Sequence, residues 1–219
     1  MRSIPIFCIL DETFSMSVNL LETLNNAGLP VPLELQGHIA GILQSKSLKK
    51  KEYWLRPGQV NDMMVFIQSG LMRAYYKKEG VEIGSWFRAE GEFIVSISSF
   101  YEEKPSVEYI QALEPTEILY ITKKQLYEIY FTYPSFSVNA LMLTIKVLVE
   151  WDQRVRVLNN TTAEERYVWL VKNRPDLLER VAGKYIAGFI GIRPETFSKK
   201  KSEYYKGGPV EGDNGRGDD

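Results

Sequence analysis

The sequence of 219 residues contains one cysteine, Cys8, and one histidine, His38. A lone cysteine cannot form a disulfide within the chain or hold an iron–sulfur cluster, and a lone histidine rules out a histidine-rich metal centre. A nucleophile activated by histidine would have to use these two residues, and neither a Walker loop nor a G-x-G-x-x-G motif occurs. We therefore expect a protein of a reducing compartment with no catalytic residue, no metal site and no enzymatic activity.

The chain also lacks a long apolar run and an excess of charge of one sign. No segment approaches the roughly 20 apolar residues that span a bilayer, and the stretch 4–10 is not followed by the small-residue cleavage site of a signal peptide. Lys and Arg number 27 against 28 for Asp and Glu, so the overall charge indicates no nucleic-acid partner. The sequence predicts a cytoplasmic protein without a membrane partner.

Apolar residues make up 44% of the chain and charged residues 25%, as in ordinary globular proteins. Residues 18–47 show two helical patterns separated by a Gly-Leu-Pro-Val-Pro break at 28–32, which predicts two short helices. From residue 53 to residue 122, short strand-like runs alternate with turn residues. These runs are residues 63–67, 71–76, 83–87, 107–112 and 118–121. Their close spacing predicts an antiparallel roll or barrel.

A helical pattern begins at Pro134, where proline costs no internal hydrogen bond, and continues to about Asn159. Six residues in it follow alternating steps of three and four and form a coiled-coil-like seam with one polar member. The seam residues are Val138, Leu141, Ile145, Leu148, Asp152 and Val155. The alternative is that the helix lies against its own roll, but Met142, Val149 and Trp151 offer a second apolar flank for that contact. We therefore predict that the seam pairs two copies of the chain in a homodimer.

The segment after this helix is helical in pattern and basic. Thr162 followed by Glu165 predicts a capping box at a helix start. Residues 161–206 carry ten basic and six acidic side chains, whereas the residues on either side sum to negative charge. This is the segment in which a nucleic-acid partner would bind. Residues 207–219 have one aliphatic side chain besides proline, and we expect a disordered tail there.

The basic segment contains the spacing of a helix-turn-helix. Ala187 is small enough to let two helices cross closely, and Gly191, four residues later, permits a tight turn. Pro194 then falls in the first turn of the second helix, where its missing N–H costs little. The predicted core of the motif is Ile186, Ala187, Ile190, Gly191, Ile192 and Phe197. The candidate DNA-binding residues on the second helix are Arg193, Glu195, Thr196, Ser198, Lys199, Lys200 and Lys201.

Three stretches, in this order along the chain, resemble the CRP/FNR (catabolite-activator) family of transcription regulators. They are residues 50–60 (KKEYWLRPGQV), 66–76 (FIQSGLMRAYY) and 186–198 (IAGFIGIRPETFS). They look like the branch of the family that is common in Bacteroidetes, and the resemblance covers roughly residues 17–204.

The resemblance implies an α+β fold. Residues 17–133 would form an N-terminal antiparallel β-roll of the cyclic-nucleotide-binding type, a double-stranded β-helix with flanking helices. Residues 134–159 would form the long dimerisation helix, and residues 160–206 a winged-helix-like helix-turn-helix domain. The implied partners are double-stranded DNA, a second copy of the chain and RNA polymerase, with a ligand-dependent rotation of the two DNA-reading helices about the seam.

The predicted roll departs from family members that bind cyclic nucleotides. In those members the resemblance implies a Phe-Gly-Glu-Leu stretch whose Glu meets the ribose, and an Arg ten residues later that meets the cyclic phosphate. Here Ser96 replaces that Glu and Ser106 replaces that Arg, while Glu102, Glu103 and Glu108 are close in sequence. A buried phosphate needs a charge partner or several donors. We therefore expect no cofactor and no binding of cyclic AMP, and leave open an unknown small-molecule effector or none.

Seven residues are candidates for an effector pocket, although each is also an ordinary wall or core residue. They are Arg73, Trp86, Phe93, Ser96, Ser98, Ser99 and Tyr109.

The second predicted helix of the helix-turn-helix also departs from the family. Lys199 can hold a phosphate but lacks the flat fork with which arginine binds guanine through two bonds. Lys200 stands where the family has an inward aliphatic residue, so we expect its stem along the surface and its ammonium in water. Pro194 replaces the family arginine at the helix start. No apolar strand pair follows Tyr205, which predicts a shortened or missing wing.

The leading hypothesis is a dimeric, DNA-binding transcription regulator whose effector pocket lacks the usual ribose and phosphate contacts. The alternative is a ligand-sensing or protein-interaction module of the same architecture whose degenerate helix-turn-helix no longer binds DNA. A metalloenzyme built on the roll is excluded, since no histidine lies between Tyr53 and Thr122.

Overall fold

The computed structural model describes residues 10–207, with side-chain burial for residues 19–206. Cys8 and all of the expected disordered tail except Gly207 lie outside the described residues. The chain divides into two compact units, Met1–Asp152 and Gln153–Asp219.

The first unit begins with the two helices that the sequence predicts. Helix α1 spans Leu10–Ala27 and α2 spans Leu33–Ile42. The backbone N–H of Val31, in the break between them, donates a 2.7 Å hydrogen bond to Asn25 Oδ1. The second helix ends earlier than residue 47, because strand β1, Gln44–Leu48, already pairs with the last strand of the roll.

Within residues 10–207, eight strands form two four-stranded sheets in which all pairings are antiparallel. The strands after β1 are β2 Tyr53–Leu55, β3 Met63–Ser69, β4 Met72–Lys78, β5 Val81–Arg88, β6 Phe93–Ile94, β7 Tyr109–Ala112 and β8 Thr116–Thr122. The sheet orders are β1-β8-β3-β6 and β2-β7-β4-β5. The roll is therefore confirmed, as two sheets rather than a closed barrel. All five predicted runs are strands, and the sequence missed β1, β2 and β6.

Apolar side chains fill the space between the two sheets. Val65 and Ile67 on β3 belong to this inner core with Met72 and Ala74 on β4, and each of them is fully buried. Phe66, between Val65 and Ile67, belongs instead to a second core beneath α1, α2 and the following helices. Strand β3 is thus buried on both faces, which explains its continuous apolar run.

Two short helices and one long helix complete this part of the chain. Helix α3, Ile97–Glu102, lies between β6 and β7, and α4, Lys123–Thr132, begins at a capping box made by Thr122 and Gln125. The long helix α5 spans Phe136–Asn160. It begins two residues after Pro134, because residues 134–137 make tighter turn hydrogen bonds first.

The described part of the second unit is helical. Helices α6 Ala163–Asn173, α7 Pro175–Arg180, α8 Gly183–Phe189 and α9 Pro194–Gly207 follow α5. The capping box of Thr162 and Glu165 at the start of α6 is confirmed, with both reciprocal hydrogen bonds present. Up to Gly207 no strand accompanies α9, so the described residues contain no wing.

Candidate functional site

Helices α8 and α9 and the turn between them form the helix-turn-helix that the sequence predicts. Gly191 has φ +65°, a left-handed conformation suited to glycine, and the Ile192 N–H bonds Ala187 O at 3.0 Å across the turn. Four of the six predicted core residues, Ile186, Ala187, Ile190 and Phe197, are buried. Gly191 is exposed and Ile192 is half-buried.

The close approach between the two helices is at Gly183, which the sequence analysis did not identify. A Cβ at Gly183 would lie 2.9 Å from Phe197 Cε1, closer than side chains normally pack. Gly183 is the first residue of α8, so the closest contact is one turn earlier than Ala187. The spacing Ala187–Gly191 predicted the turn correctly, but it did not predict where the helices touch.

The exposed residues of α9 do not lie on one face. Because successive helix residues are rotated by about 100°, Lys199 and Lys201 point to opposite sides of α9, and Lys200 points inward between them. The exposed residues that share the face of Lys199 are Glu195, Ser202, Glu203 and Lys206, with Ser198 at the edge of this face. We call this set, with Lys199, the α9 polar face. Arg193 precedes the helix and is exposed, and Thr196 is half-buried.

Ser202 and Lys206 were missed by the sequence analysis, which stopped at the run of three lysines. The signal that finds them is helical spacing, since they follow Ser198 and Lys199 by four and seven residues.

Lys200 differs from the expectation that its ammonium is in water. Its Nζ lies 3.0 Å from Glu164 Oε2 on α6 and 2.9 Å from Glu203 Oε2, and its side chain is 22% exposed. The hydrogen bonds to Glu203 and Glu164 raise the pKa of Lys200, and the bond to Lys200 lowers the pKa of Glu203. Lys200 therefore fills the inward position by pairing its charge, because two carboxylates lie where the family has an aliphatic contact.

Two arginines that the sequence analysis did not select hold the end of α8. Arg166, on α6, donates to the carbonyls of Ile190 and Gly191 through Nη1, and to Leu158 O through Nη2 at 2.7 Å. Arg154 Nη2 donates to Phe189 O at 3.0 Å, with its guanidinium over the Phe189 ring. Cations at a helix C-terminus satisfy carbonyls without intrahelical partners. These contacts fix the turn of the motif to α6 and to the last turns of α5.

The seam of α5 is exposed in the single chain. Its five apolar members are each between 37% and 62% exposed, and Asp152 is exposed as well. Met142 and Val149, expected to face the roll, are also about half exposed, at 46% and 48%. Trp151 is 45% exposed, and its ring lies 5.6 Å from that of Trp86 on β5, so this member of the flank contacts the roll.

Other side chains of α5 attach it to the rest of the first unit. Asn139 is buried, and its Nδ2 donates to Leu24 O at 2.8 Å and Leu29 O at 2.6 Å. Glu150 Oε2 accepts from Arg88 Nη1 at 2.7 Å. Neither residue could be identified from the sequence, because a polar side chain in a helical pattern normally indicates a solvent-facing position.

The two serines that replace the family's ribose and phosphate contacts are bonded to each other. Ser96 Oγ and Ser106 Oγ are 3.0 Å apart, and Ser96 Oγ donates to Glu108 Oε2 at 2.9 Å. Ser96 and Ser106 are both buried. The hydroxyls are satisfied within the protein, and the Glu108 carboxylate bonded to Ser96 would repel a phosphate.

Arg73 and Tyr109 lie in a different cluster, on the second sheet. Arg73 Nη1 bonds Glu82 Oε2 at 2.6 Å, and its Nη2 bonds Gln111 Oε1 at 2.8 Å. The Arg73 guanidinium stacks on Tyr75, whose other neighbour is the ring of Tyr109 at 4.8 Å. Burial raises the pKa of Tyr75. The Arg73 charge is thus already paired with a carboxylate.

The remaining candidates for the effector pocket also separate. Ser99 is buried, accepting from the Asn61 N–H and donating to Lys104 O, whereas Ser98 is exposed. Trp86 and Phe93 line a cavity of about 270 Å³ beside α5. The structure therefore distributes the seven candidates over separate clusters, and two of them border this cavity.

No set of three or more His, Cys, Asp or Glu side chains within residues 10–207 is arranged to hold a metal ion. Over the same range, no helix combines the length and the apolar character needed to cross a membrane.

Comparison with known proteins places these features in a family context. Residues 45–133 match the family described as "Cyclic nucleotide-binding domain". No curated protein matches the chain.

Solved structures with a similar fold include three bacterial proteins. A CooA mutant from Carboxydothermus hydrogenoformans has 21% identity and a TM-score of 0.66, covering 83% of this chain and 87% of CooA. FixK2 from Bradyrhizobium japonicum has 16% identity and a TM-score of 0.67, covering 80% and 90%. CLP from Xanthomonas campestris, described as a c-di-GMP responsive global regulator, has 14% identity and a TM-score of 0.66, covering 80% and 93%.

These neighbours are regulators of the CRP/FNR family, so the resemblance seen in the sequence is confirmed for the fold. Neither the matched domain nor the neighbours are enzymes. The assignment to the branch common in Bacteroidetes stays a prediction.

Proposed function

We propose that this chain, which has the fold of CRP/FNR-type regulators, is a dimeric transcription regulator that binds double-stranded DNA and does not respond to cyclic AMP. The observation that carries the proposal is the α9 polar face. It presents two hydroxyls and two lysines, together with Glu195 and Glu203, on the second helix of a helix-turn-helix, within the one basic segment of the chain. In this motif the second helix enters the major groove.

The exposed seam supports a dimer as the binding form. Single exposed apolar side chains are common, but a continuous apolar stripe on a helix marks an interaction surface. Val138, Leu141, Ile145 and Leu148 form such a stripe in steps of three and four, which is the spacing of helix pairing. Two copies related by a two-fold axis would bind half-sites about one helical turn apart.

The Ser96–Ser106–Glu108 cluster disfavours the binding of cyclic AMP. A cyclic nucleotide would have to displace a satisfied hydroxyl pair and place its phosphate near the Glu108 carboxylate. The family's arginine, which would compensate this cost, is replaced by Ser106. Calorimetry with cyclic AMP is therefore expected to show no binding at micromolar concentration.

DNA binding is tested by selecting bound fragments from random duplex DNA and measuring affinity against salt concentration. Each phosphate contact contributes about 0.9 to the slope of log K against log salt concentration. We expect Lys199→Ala and Lys206→Ala each to weaken binding and to reduce this slope by about one contact. Lys200→Ala is expected to leave the slope unchanged, because Glu164 and Glu203 already neutralise that ammonium.

Lys124→Ala is the matched control, since Lys124 is the same residue type, is highly exposed and lies on α4 of the first unit. A slope that is unchanged in both Lys199→Ala and Lys206→Ala would remove the α9 polar face from the interface.

One observation favours the alternative, a module of the same architecture that does not bind DNA. Glu195 shares the face of Lys199, and Lys199 Nζ lies 3.8 Å from Glu203 Oε1, so the positive charge of this face is small. The alternative requires that no duplex be selected at low salt. Selection of a two-fold symmetric consensus would exclude it.

A further inference from the structure

The cavity beside α5 belongs to the first unit and is separate from the Ser96–Ser106–Glu108 cluster. It has a volume of about 270 Å³ and lies between strands β3, β6 and β8 and helices α1, α2, α4 and α5. Most lining side chains are aliphatic or aromatic, among them Leu24, Phe93, Leu119 and Leu143. Small-molecule sites have this character and begin at about this size, at roughly 300 Å³.

The charged side chains of the lining are balanced. They are Arg88, Glu92, Lys146 and Glu150. Arg88 Nη1 bonds Glu92 Oε1 at 2.8 Å and Glu150 Oε2 at 2.7 Å, and the Arg88 side chain is only 7% exposed. Lys146 is exposed to solvent. The one buried cation of the lining is thus paired with two carboxylates. The lining therefore offers no unpaired buried cation to bind an anionic ligand.

Three tyrosines line the cavity. Tyr101 is exposed, and Tyr120 packs against Trp54 and the inner core. Tyr130 is half-buried on α4, and within the described chain no group hydrogen-bonds to its hydroxyl. Burial raises the pKa of Tyr130 to about 12, so the phenol keeps its proton at neutral pH. It can therefore donate to an acceptor such as a carbonyl oxygen.

We propose that this cavity binds a small, neutral, lipophilic molecule that carries one hydrogen-bond acceptor, with Tyr130 as the donor. The apolar lining favours the hydrocarbon part, and the paired state of Arg88 disfavours a carboxylate or phosphate. The ligand class thus differs in charge from a cyclic nucleotide.

The position of the cavity on α5 connects it with the seam. Ala140, Leu143 and Val147 line the cavity, whereas Leu141 and Leu148 of the same helix carry the exposed seam. A ligand that fills the cavity would bias the position of α5 and so the pairing of two copies. This regulatory consequence rests on the proposed function, whereas binding to the cavity does not.

Binding is tested on the full chain without DNA, by the fluorescence of the neutral probe phenylnaphthylamine. We expect saturable binding of one probe per chain. Leu143→Trp, which fills the cavity, should weaken it at least tenfold. Met142→Trp is the matched control, since Met142 is the next residue of α5, is 46% exposed and does not line the cavity.

Competition with three naphthalene derivatives of similar shape tests the ligand class. Acetonaphthone, with one carbonyl acceptor, should displace the probe better than ethylnaphthalene, and anionic naphthoate should displace it least. Tyr130→Phe should abolish the advantage of acetonaphthone over ethylnaphthalene. Circular dichroism and thermal melting show whether each variant is folded, and Ala140→Phe is a milder filling variant if Leu143→Trp does not fold.

Three results would overturn the proposal. The first is that the probe shows no saturable binding. The second is that Met142→Trp weakens probe binding as much as Leu143→Trp, which would place the probe on the exposed side of α5. The third is that naphthoate displaces the probe as strongly as acetonaphthone. If acetonaphthone binds but the affinity of the chain for duplex DNA does not change, the binding site is confirmed and its regulatory role is excluded. If no duplex binds at all, the proposed function fails and the site stands.

Discussion

Gly70 and Gly58 both have positive φ, +96° and +87°, but differ in the space around them. A Cβ at Gly70 would lie 2.6 Å from Pro115 O and 2.7 Å from Thr116 Cα, whereas a Cβ at Gly58 would meet nothing within 4 Å. Gly58→Ala should therefore cost about 1 kcal/mol of unfolding free energy, from backbone strain alone. Gly70→Ala should cost about 3 kcal/mol or more, since backbone atoms must move as well.

Urea unfolding followed by tryptophan fluorescence measures both losses in the same unit of the chain. Equal losses for the two variants would mean that the turn at Gly70 relaxes to admit a side chain.

Arg166 shows how a single residue positions the helix-turn-helix. Its guanidinium reaches the carbonyls of Leu158, Ile190 and Gly191 at once, and the single ammonium of lysine cannot span them. Arg166→Lys should therefore destabilise the second unit by about 1–3 kcal/mol. The unfolding of this unit can be followed by Trp169, which is the only tryptophan in residues 153–219.

Lys172→Arg is the control, because Lys172 is an exposed cation on the same helix. If Arg166→Lys unfolds at the same denaturant concentration as this control, the carbonyl contacts do not stabilise the motif.

At the scale of the element, the stability that the capping box gives to the start of α6 depends on pH. Hydrogen bonds from the Thr162 backbone and side chain lower the pKa of Glu165 below its ordinary value. A carboxyl group whose pKa is lower in the folded than in the unfolded state stabilises the folded state in full above its unfolded-state pKa. This stabilisation is lost as the pH falls through the folded-state pKa. The contribution of this cap is therefore expected at pH 7 and should fade in acid.

Thr162→Ala removes the cap, and N-cap substitutions of this kind cost about 1 kcal/mol. The loss of stability should be measurable at pH 7 and should shrink as the pH falls through the lowered pKa of Glu165 in the folded protein. NMR titration should show the Glu165 pKa returning toward its ordinary value in the variant. If the loss of stability does not depend on pH, the ionised Glu165 carboxylate does not contribute to the stability of the cap.

Some helices and strands could be predicted from local sequence patterns alone, and others could not. The Thr162–Glu165 capping box, the two helices predicted within 18–47 and the five strand runs depend on neighbours in sequence, and the structure confirms them, except that residues 44–47 belong to β1. Strands β2 and β6 have three and two residues, too few for a periodic signal. Strand β1 is polar in sequence, and four of its five residues are exposed. Its strand conformation depends on its pairing with β8.

At the scale of the whole molecule, the exposed seam of α5 predicts that two copies of the chain form a dimer. Leu148 is 62% exposed in the single chain, and a lysine there would place an unpaired charge between two apolar helices. Leu148→Lys should therefore weaken dimerisation at least about tenfold, a change of about 1.4 kcal/mol. Sedimentation equilibrium at micromolar concentration measures the effect.

Leu33→Lys is the matched control, since Leu33 is an 83% exposed leucine on α2, outside the seam. A wild-type chain that sediments as a monomer at micromolar concentration would contradict the dimer itself.

The sequence by itself determined the two N-terminal helices, five of the eight described strands, the turn at Gly191 and the basic segment, because spacing and composition set these features locally. It also indicated, through Ser96 and Ser106, that the family's nucleotide contacts are missing. The tertiary structure decided how side chains distant in sequence meet. It paired Lys200 with Glu164 and Glu203, bonded Arg166 to the carbonyls of the turn, and enclosed the cavity next to α5. These contacts depend on the packing of elements far apart along the chain, and no periodicity within one segment encodes them.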